Sequence, residues 1–300
     1  MMRKFLAIVC SVAAVVAQTA QGAETKTLKP SSPWNVDYSE HSCALKRVFG
    51  EGDDSVLLEF RQFAPGDDFN VTVASKGSGF QKRQPKVRFV SEPKPRTIEV
   101  PLYVKTDSGL SGISWYDTLF PVDHMKEERD AKARGYALPP PRSDAEYKAL
   151  EGAVTGLEVA NSFEPSIFLA TGAMHQPMQA LRKCLDALLV HWGLDAAAHR
   201  TLSRSAWPIG EAKRSRQNKS LYPLTKLSIF KSGPMKVRVM VGADGKPTGC
   251  HIELSEAPKS EQSACQRIME VSSFEPALDA AGKPIASYWV TQGLFFVNVR

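Results

Sequence analysis

The chain has 300 residues, of which 43% are hydrophobic and 23% are charged, and its formal net charge is +6. These values are typical of a soluble globular protein that is long enough for two domains. The positive excess is mild for this length. The sequence has no concentrated basic patch interleaved with aromatic residues, so its positive charge does not indicate a nucleic-acid-binding protein.

Residues 1–22 are typical of a secretory signal peptide. Arg3 and Lys4 precede an apolar run at residues 5–17, and the small residues Ala20 and Gly22 offer a cleavage site before residue 23. The run is shorter than the roughly 20 residues that a membrane-spanning helix needs. We therefore expect an exported, periplasmic protein, and an uncleaved segment that anchors the chain in the inner membrane is the alternative.

Export determines how the cysteines are interpreted. Cys10 leaves with the signal segment, so the mature chain keeps Cys43, Cys184, Cys250 and Cys265. An even number in an oxidising compartment favours disulfides over metal binding or redox chemistry. Four cysteines allow three sets of pairs, and their order along the chain places two in each of the domains predicted below.

Residues 23–195 are predicted to form a β-rich domain. Alternating apolar residues such as Val56, Leu58 and Phe60 are followed by turn segments such as Ala64–Asp67. Because this alternation recurs at a spacing of about ten residues, it indicates an antiparallel sheet or a small sandwich. Residues 121–150 are polar and charged, and we interpret them as a solvated excursion with a short helix near residues 125–134.

An amphipathic helix is predicted at the end of this domain. Pro177 suits the first turn, apolar residues follow at helical spacing as far as Trp192, and Gly193 suits the position just past the end. Cys184 lies on the apolar face of this helix. It could therefore reach Cys43 beneath the helix, and we hypothesise a disulfide between them.

Residues 196–220 are predicted to be a basic linker. Seven basic side chains in this stretch stand against a single acidic one, Glu211, and no hydrophobic period is present. Such a segment is typical of a solvated connector. The alternative is a surface that contacts anionic lipid or peptidoglycan. We expect membrane contact only through this surface or through an uncleaved signal.

Residues 221–300 are predicted to form a second, smaller domain. Alternation through Val237 and Val239 indicates a strand with one buried face, and Asp244-Gly245 is a strong hairpin signal. Cys250 then points inward from the return strand. Cys265 points inward from a helix predicted at residues 260–272, so a disulfide between them is geometrically natural and would stabilise the domain by roughly 3 kcal/mol.

The order of motifs in residues 221–300 resembles the C-terminal domain of the TonB energy-transducer family. Tyr222-Pro223 is followed by the hairpin motif Ala243-Asp244-Gly245-Lys246, then by Phe274-Glu275-Pro276-Ala277 and a final strand. The resemblance implies an α+β fold, with a small antiparallel sheet and helices on one face. In that family the module crosses the periplasm and pairs with a short extended segment of an outer-membrane receptor.

The chain departs from the family in the parts that energy transduction needs. It has no long proline-rich spacer, since Pro139-Pro140-Pro141 is far too short, and its N-terminal segment is better interpreted as cleavable. We therefore predict a non-enzymatic binding protein that receives a cell-envelope partner, such as an outer-membrane receptor segment, by strand addition. An anchored energy transducer is the alternative.

The final strand, at residues 288–297, is predicted to be the edge that receives the partner, with contributions from Tyr288, Trp289 and Thr291. Core packing is the alternative role for the two aromatic residues. No cofactor or metal is expected, because the histidines are scattered and the phosphate-binding and dinucleotide motifs are missing from the sequence.

One short motif raises a second alternative, an aspartic-type hydrolase. Asp107-Ser108-Gly109 matches the catalytic loop of aspartic proteases, which need two carboxylates that share a proton. The chain contains one such motif, and the polar Lys105 and Thr106 precede it where that family has apolar residues. A polar turn after a strand is therefore the preferred interpretation of Asp107.

Overall fold

The computed structural model describes residues 25–77, 79–106, 108–120, 142–209, 234–255, 265–266, 268–270, 272–290 and 295–296. Two separate hydrophobic cores organise them. The larger core is built from side chains between residues 28 and 188, and the smaller from side chains between residues 206 and 289. We call the parts of the chain that surround these cores the N-terminal half and the C-terminal half.

The N-terminal half is dominated by strands, as predicted. In chain order they are β1 (Thr25–Leu28), β2 (Asn35–Tyr38), β3 (Cys43–Phe49), β4 (Val56–Gln62), β5 (Asp68–Ser75), β6 (Lys86–Phe89), β7 (Arg96–Thr97), β8 (Leu102–Lys105), β9 (Ser111–Thr118), β10 (Leu157–Ala160) and β11 (Ser166–Leu169), with a short 3-10 helix at Gly52–Asp54. One sheet has the order β2-β3-β4-β5-β9-β8, and the other has the order β1-β11-β10-β6-β7. Neighbouring strands are antiparallel except for the parallel pair β1 and β11.

The two sheets share one core because each strand buries alternate side chains. In β4 the buried positions include Val56, Leu58 and Phe60, and the residues between them are half-buried. The ring of Phe60 lies 6.3 Å from that of Phe89 in the other sheet. The two sheets therefore pack face to face through the alternate side chains whose period-2 pattern predicts the strands.

A long helix, α2 (His175–His191), covers β2 and β3, and α1 (Asp144–Ala153) packs against α2. Helix α2 confirms the predicted amphipathic helix, since Leu181, Cys184 and Leu185 on its apolar face are buried. Cys184 forms a disulfide with Cys43 in β3, and the two Cα atoms are 6.0 Å apart. Because the two cysteines are 141 positions apart in the sequence, the chain-entropy model gives about 5 kcal/mol of stabilisation.

Helix α1 differs from the prediction, which treats residues 121–150 as a solvated excursion. A capping box begins it: the Ser143 side chain accepts a hydrogen bond from the Glu146 backbone, and the Glu146 side chain accepts one in return. The helix is then anchored by the buried carboxylate of Glu151, which pairs with Arg182 and with His175 at 3.0 Å. The short helix predicted near residues 125–134 lies outside the described residues.

The C-terminal half contains α3 (Ala196–His199), β12 (Trp207–Pro208), β13 (Pro234–Val241), β14 (Pro247–Ser255), β15 (Phe274–Glu275), β16 (Ala277–Leu278), β17 (Pro284–Ile285), β18 (Ser287–Val290) and β19 (Phe295–Phe296). Its main antiparallel sheet has the order β14-β13-β18, and β19 also pairs with β13. The strands β12 and β15 form one small ladder, and β16 and β17 form another. Helical residues at 265–266 and 268–270 lie within the predicted helix.

The predicted hairpin joins β13 to β14 through Asp244-Gly245. Gly245 has φ +78°, and a Cβ atom there would lie 2.2 Å from the carbonyl oxygen of Phe274, so the turn needs glycine. The disulfide between Cys250 and Cys265 is also present, with the Cα atoms 5.4 Å apart. It joins β14 to the helical segment that buries Ile268 in the smaller core.

The structure differs from the predicted linker for residues 196–209. Asp195 caps α3 by accepting hydrogen bonds from the backbone amides of residues 197 and 198. Ala206 is buried in the smaller core, and Trp207 pairs with Glu275 in the β12–β15 ladder. The segment has no hydrophobic period because it contributes only a few isolated apolar side chains to a core formed mostly by distant residues.

No helix among the described residues is long and apolar enough to cross a membrane.

Candidate functional site

The polar face of β13 is covered by the N-terminal half. The valines at positions 237, 239 and 241 point into the smaller core, so Lys236 and Arg238 point to the opposite side of the sheet. These two side chains would be solvated if the sheet stood alone. Instead, Lys236 is only 7% exposed and Arg238 only 4%. The strand therefore has two buried faces, whereas the sequence predicted one.

Arg238 is the centre of the contact between the halves. Its guanidinium carbon lies 3.6 Å from the ring centroid of Trp192, which follows α2. One terminal nitrogen donates a hydrogen bond to Nδ1 of His41 at 3.3 Å. Its Nε lies 3.2 Å from Oε1 of Glu253 on β14. Arg238 thus joins two residues of the N-terminal half to a carboxylate of the C-terminal half.

His41 and His251 stack across the same contact, with ring centroids 3.6 Å apart. Burial and the positive charge of Arg238 lower the pKa of His41. Burial, followed by the charges of His41 and Arg238, lowers the pKa of His251 to about 4. Both rings are therefore neutral at pH 7, and the hydrogen bond from Arg238 requires an unprotonated Nδ1 on His41.

Glu253 carries a buried carboxylate beneath this stack. Its side chain has no exposed area, and burial raises its pKa to about 7 against the opposing effects of Arg238 and Lys236. Its oxygens lie 3.2 Å from Arg238 Nε and 3.8 Å from His251 Nε2. Among the described residues neither oxygen accepts a hydrogen bond, so the ion pair compensates the lost hydration only in part.

Lys236 lies at the other end of the contact. Its Nζ atom is 4.9 Å from the ring centroid of Tyr116 and 5.2 Å from that of Phe63. Burial lowers its pKa to about 8, although Asp68 and Glu253 act in the opposite direction. In the described part of the chain, this ammonium group forms no ion pair with a carboxylate.

An open cleft of about 310 Å³ separates the two halves beside Lys236. One wall is formed by the end of β4 and the turn that follows it, at residues 61–66, together with Tyr116. The opposite wall is formed by residues 205–207 and by all four residues of β18. The cleft is therefore lined by backbone and side chains of both halves.

Among the described strands, β18 lies at an edge of its sheet, and it belongs to the segment where the sequence predicts that a partner binds. It pairs with β13, and β14 occupies the opposite edge of the described sheet. Tyr288 faces the N-terminal half, with its ring 5.6 Å from Trp192 and stacked on His199 at 6.0 Å. The hydroxyl of Ser287 lies 3.0 Å from Nε2 of the same histidine.

The side chains predicted to contact the partner have different surroundings. Trp289 is 7% exposed and packs in the smaller core, 5.9 Å from the ring of Phe274. Tyr288 is half-buried in the contact between the halves, and Thr291 lies outside the described residues. Partner binding through these residues stays a prediction, and their packing makes the backbone of β18 the better candidate for contact.

Asp107 also lies outside the described residues, but the residues around it form a turn between β8 and β9. The hydroxyl oxygens of Thr106 and Ser108 are 2.8 Å apart, and the Leu110 amide donates to Thr106 at 3.0 Å. Gly109 has φ +82°. Across the described ranges, no group of three or more metal-ligating side chains is present.

Five residues of this contact are not among the site residues that the sequence predicts: His41, Arg238, His251, Glu253 and Lys236. The available signal was the regular alternation of basic residues in β13, which by itself is the pattern of a solvated face. Only the position of the N-terminal half, about 200 residues earlier in the chain, turns that face into a buried one.

No protein-family model matches the chain, and comparisons with curated proteins and with solved structures give no match either. The resemblance to the TonB C-terminal family therefore rests on the sequence motifs alone.

Proposed function

We propose that this protein is exported to the periplasm and binds an extended segment of a cell-envelope protein by adding it as a strand to β18. The observation that carries the proposal is the position of β18, which is at an edge of the sheet formed by the described strands and lines the cleft along its whole length. Strand addition uses backbone hydrogen bonds for affinity, so it does not require Tyr288 or Trp289 to leave their packing.

The order of elements in the C-terminal half supports this reading. A β13–β14 hairpin, helical residues at 265–266 and 268–270, and an edge strand of the described sheet follow one another as the resemblance to the TonB family implies. The helical segment contributes Ile268 to the core on one face of the sheet. We propose that this half has the TonB-like architecture, used here as a binding module.

The dimensions of the cleft are also compatible with a short strand. Neighbouring strands lie about 4.8 Å apart, and four residues of strand extend about 13 Å. The cleft volume of about 310 Å³ is at the lower end of the range for ligand sites. A partner segment would therefore fill the cleft with a few residues and touch both halves.

Two disulfides support export to an oxidising compartment, in agreement with the signal motif. Cell fractionation tests this part of the proposal. The mature chain is expected in the periplasmic fraction with both disulfides formed, and a chain found in the cytosol with four free thiols would contradict it.

Site-specific photo-crosslinking tests strand addition in the whole exported chain. A photoreactive residue at Val290, which is half-buried and lines the cleft, is expected to cross-link to one short contiguous segment of a partner. The matched control is the same residue at Tyr103, which is 43% exposed on β8. Equal products from both positions, or cross-links scattered over a partner's folded surface, would contradict the proposal.

A further inference from the structure

Lys236 presents an ammonium group to the cleft. The residue is more than nine-tenths buried, at 7% exposed, and it lines the cleft together with Tyr116 and Phe63, whose rings flank Nζ. The charged side chain is therefore largely buried and is also part of the cleft lining.

Among the described residues, the other charged groups that line the cleft form no ion pair with this ammonium group. The guanidinium of Arg61 is held by two hydrogen bonds to the carboxylate of Glu59, at 2.8 and 3.0 Å. The carboxylate of Asp68 accepts a hydrogen bond from the Tyr116 hydroxyl at 3.0 Å. Its negative charge raises the pKa of Lys236 and so opposes the effect of burial.

Burying an ammonium group is unfavourable unless an anion or several acceptors replace its water. Two aromatic rings provide part of this compensation through cation–π contacts, and they also place apolar surface beside the charge. A carboxylate that enters the cleft would supply the remaining part, in a geometry that is strengthened by the low local dielectric.

We propose that Lys236 is a carboxylate-binding subsite, and that the segment added to β18 carries an acidic side chain that reaches it. This inference rests on the proposed strand addition and specifies the chemistry of the partner. An added strand would lie two strand spacings, or about 10 Å, from β13. A lysine and a glutamate side chain together span that distance.

The register of the sheet fixes where the acidic residue must be. Arg238 pairs with Val290, and Lys236 is two residues further along β13. The subsite is therefore beside the Val290 end of β18. Lys236 shares its face of the sheet with Tyr288, which pairs with Met240. The acidic side chain must point to that same face, towards the N-terminal half.

Binding of defined peptides to the full mature chain tests the inference. The probes are acetylated, amidated octapeptides of alternating threonine and valine, labelled with fluorescein, with one glutamate placed at each position in turn. Each has a glutamine counterpart, so that the side chain is the only carboxylate that differs. Fluorescence anisotropy at pH 7 gives the affinities.

At one position, or at two positions that share a face, the glutamate peptide is expected to bind about ten-fold or more tightly than its glutamine counterpart. The preference should disappear in Lys236→Met and persist in part in Lys236→Arg. The control Lys246→Met, at a hairpin position that is 81% exposed, should leave it unchanged. Raising the pH to 10 should also remove the preference in the unmodified chain.

Each outcome decides between the two proposals. If glutamate and glutamine peptides bind equally, or if the preference survives in Lys236→Met, the subsite is refuted and strand addition stands. If no peptide binds, strand addition fails and the subsite fails with it. Should Lys236→Met not fold, as judged by circular dichroism, the pH series decides, and a preference that persists at pH 10 refutes the subsite.

Discussion

Replacing Glu253 with glutamine is expected to stabilise the protein at alkaline pH and to have little effect at acid pH. Burial raises the pKa of this carboxyl from 4.5 to about 7 in the folded protein. The folded state therefore binds the proton more tightly than the unfolded chain does. The stability that this group contributes is fully present below pH 4.5 and is lost as the pH rises through 7.

The magnitude follows from the shift. A change of about 2.5 units from 4.5 to about 7 corresponds to about 3 kcal/mol of unfavourable free energy for the ionised, buried group. Glutamine has nearly the same shape and no charge, so Glu253→Gln should recover about that amount at pH 8. This free energy already includes the ion pair with Arg238, because the attraction of Arg238 contributes to the pKa of Glu253.

Urea denaturation at pH 8 and at pH 4.5, followed by tryptophan fluorescence, measures the effect. Since the two halves can unfold in separate steps, the comparison uses the transition that unfolds the C-terminal half. The control is Glu275→Gln, whose side chain is 54% exposed, and it should change stability by less than about 0.5 kcal/mol. A destabilised Glu253→Gln at pH 8, or an equal effect at both pH values, would refute the reasoning.

Three further changes probe the contact between the halves and the covalent links. His251→Asn should make the stability of the folded protein less sensitive to acid. The pKa of His251 is lowered from 6.5 to about 4, so the stability that this group contributes is present above pH 6.5 and is lost as the pH falls through 4. Urea midpoints across that pH range measure the effect. Trp192→Ala removes the ring over Arg238 and should cost about 2 kcal/mol and speed proteolysis between the halves; an unchanged cleavage rate would contradict this. Replacing Cys250 and Cys265 with alanine should lower the unfolding free energy of the C-terminal half by about 3 kcal/mol, and an unchanged urea midpoint for that transition would count against it.

Local signals in the sequence predicted much of the fold. Three features depend on contacts within a few residues, and such contacts are readable from sequence. They are the alternation in β13, the Asp244-Gly245 turn and the apolar face of α2. Both disulfides were also predicted, because each cysteine lies on the apolar side of its element. In these places local pattern and tertiary packing agree.

The candidate site could not be predicted in the same way. His41 and His251 meet although they are 210 positions apart in the sequence, and nothing near either residue indicates the other. Arg238 and Lys236 have the pattern of a solvated strand face, and their burial depends on where the whole N-terminal half packs. Helix α1 was missed for a different reason, since the capping box at Ser143 was present in a segment interpreted only by its polarity.

The contact between the halves also bears on the cleft. Lys236 and Tyr288 belong both to the covered face of the C-terminal sheet and to the cleft lining. Any change that separates the halves, such as acidification that protonates His41 and His251 beside Arg238, would therefore alter the wall on which a partner strand would lie. Affinity for the partner and stability of the contact are expected to fall together.

Amide hydrogen exchange tests strand addition most directly. The ligand is the synthetic segment that cross-links to Val290, added to the full mature chain at saturating concentration. Strand addition to β18 predicts slower exchange for amides in β18 and no change in β14, which is the opposite edge of the described sheet. Slower exchange confined to β14, or no protection anywhere in the sheet while the segment is bound, would contradict it.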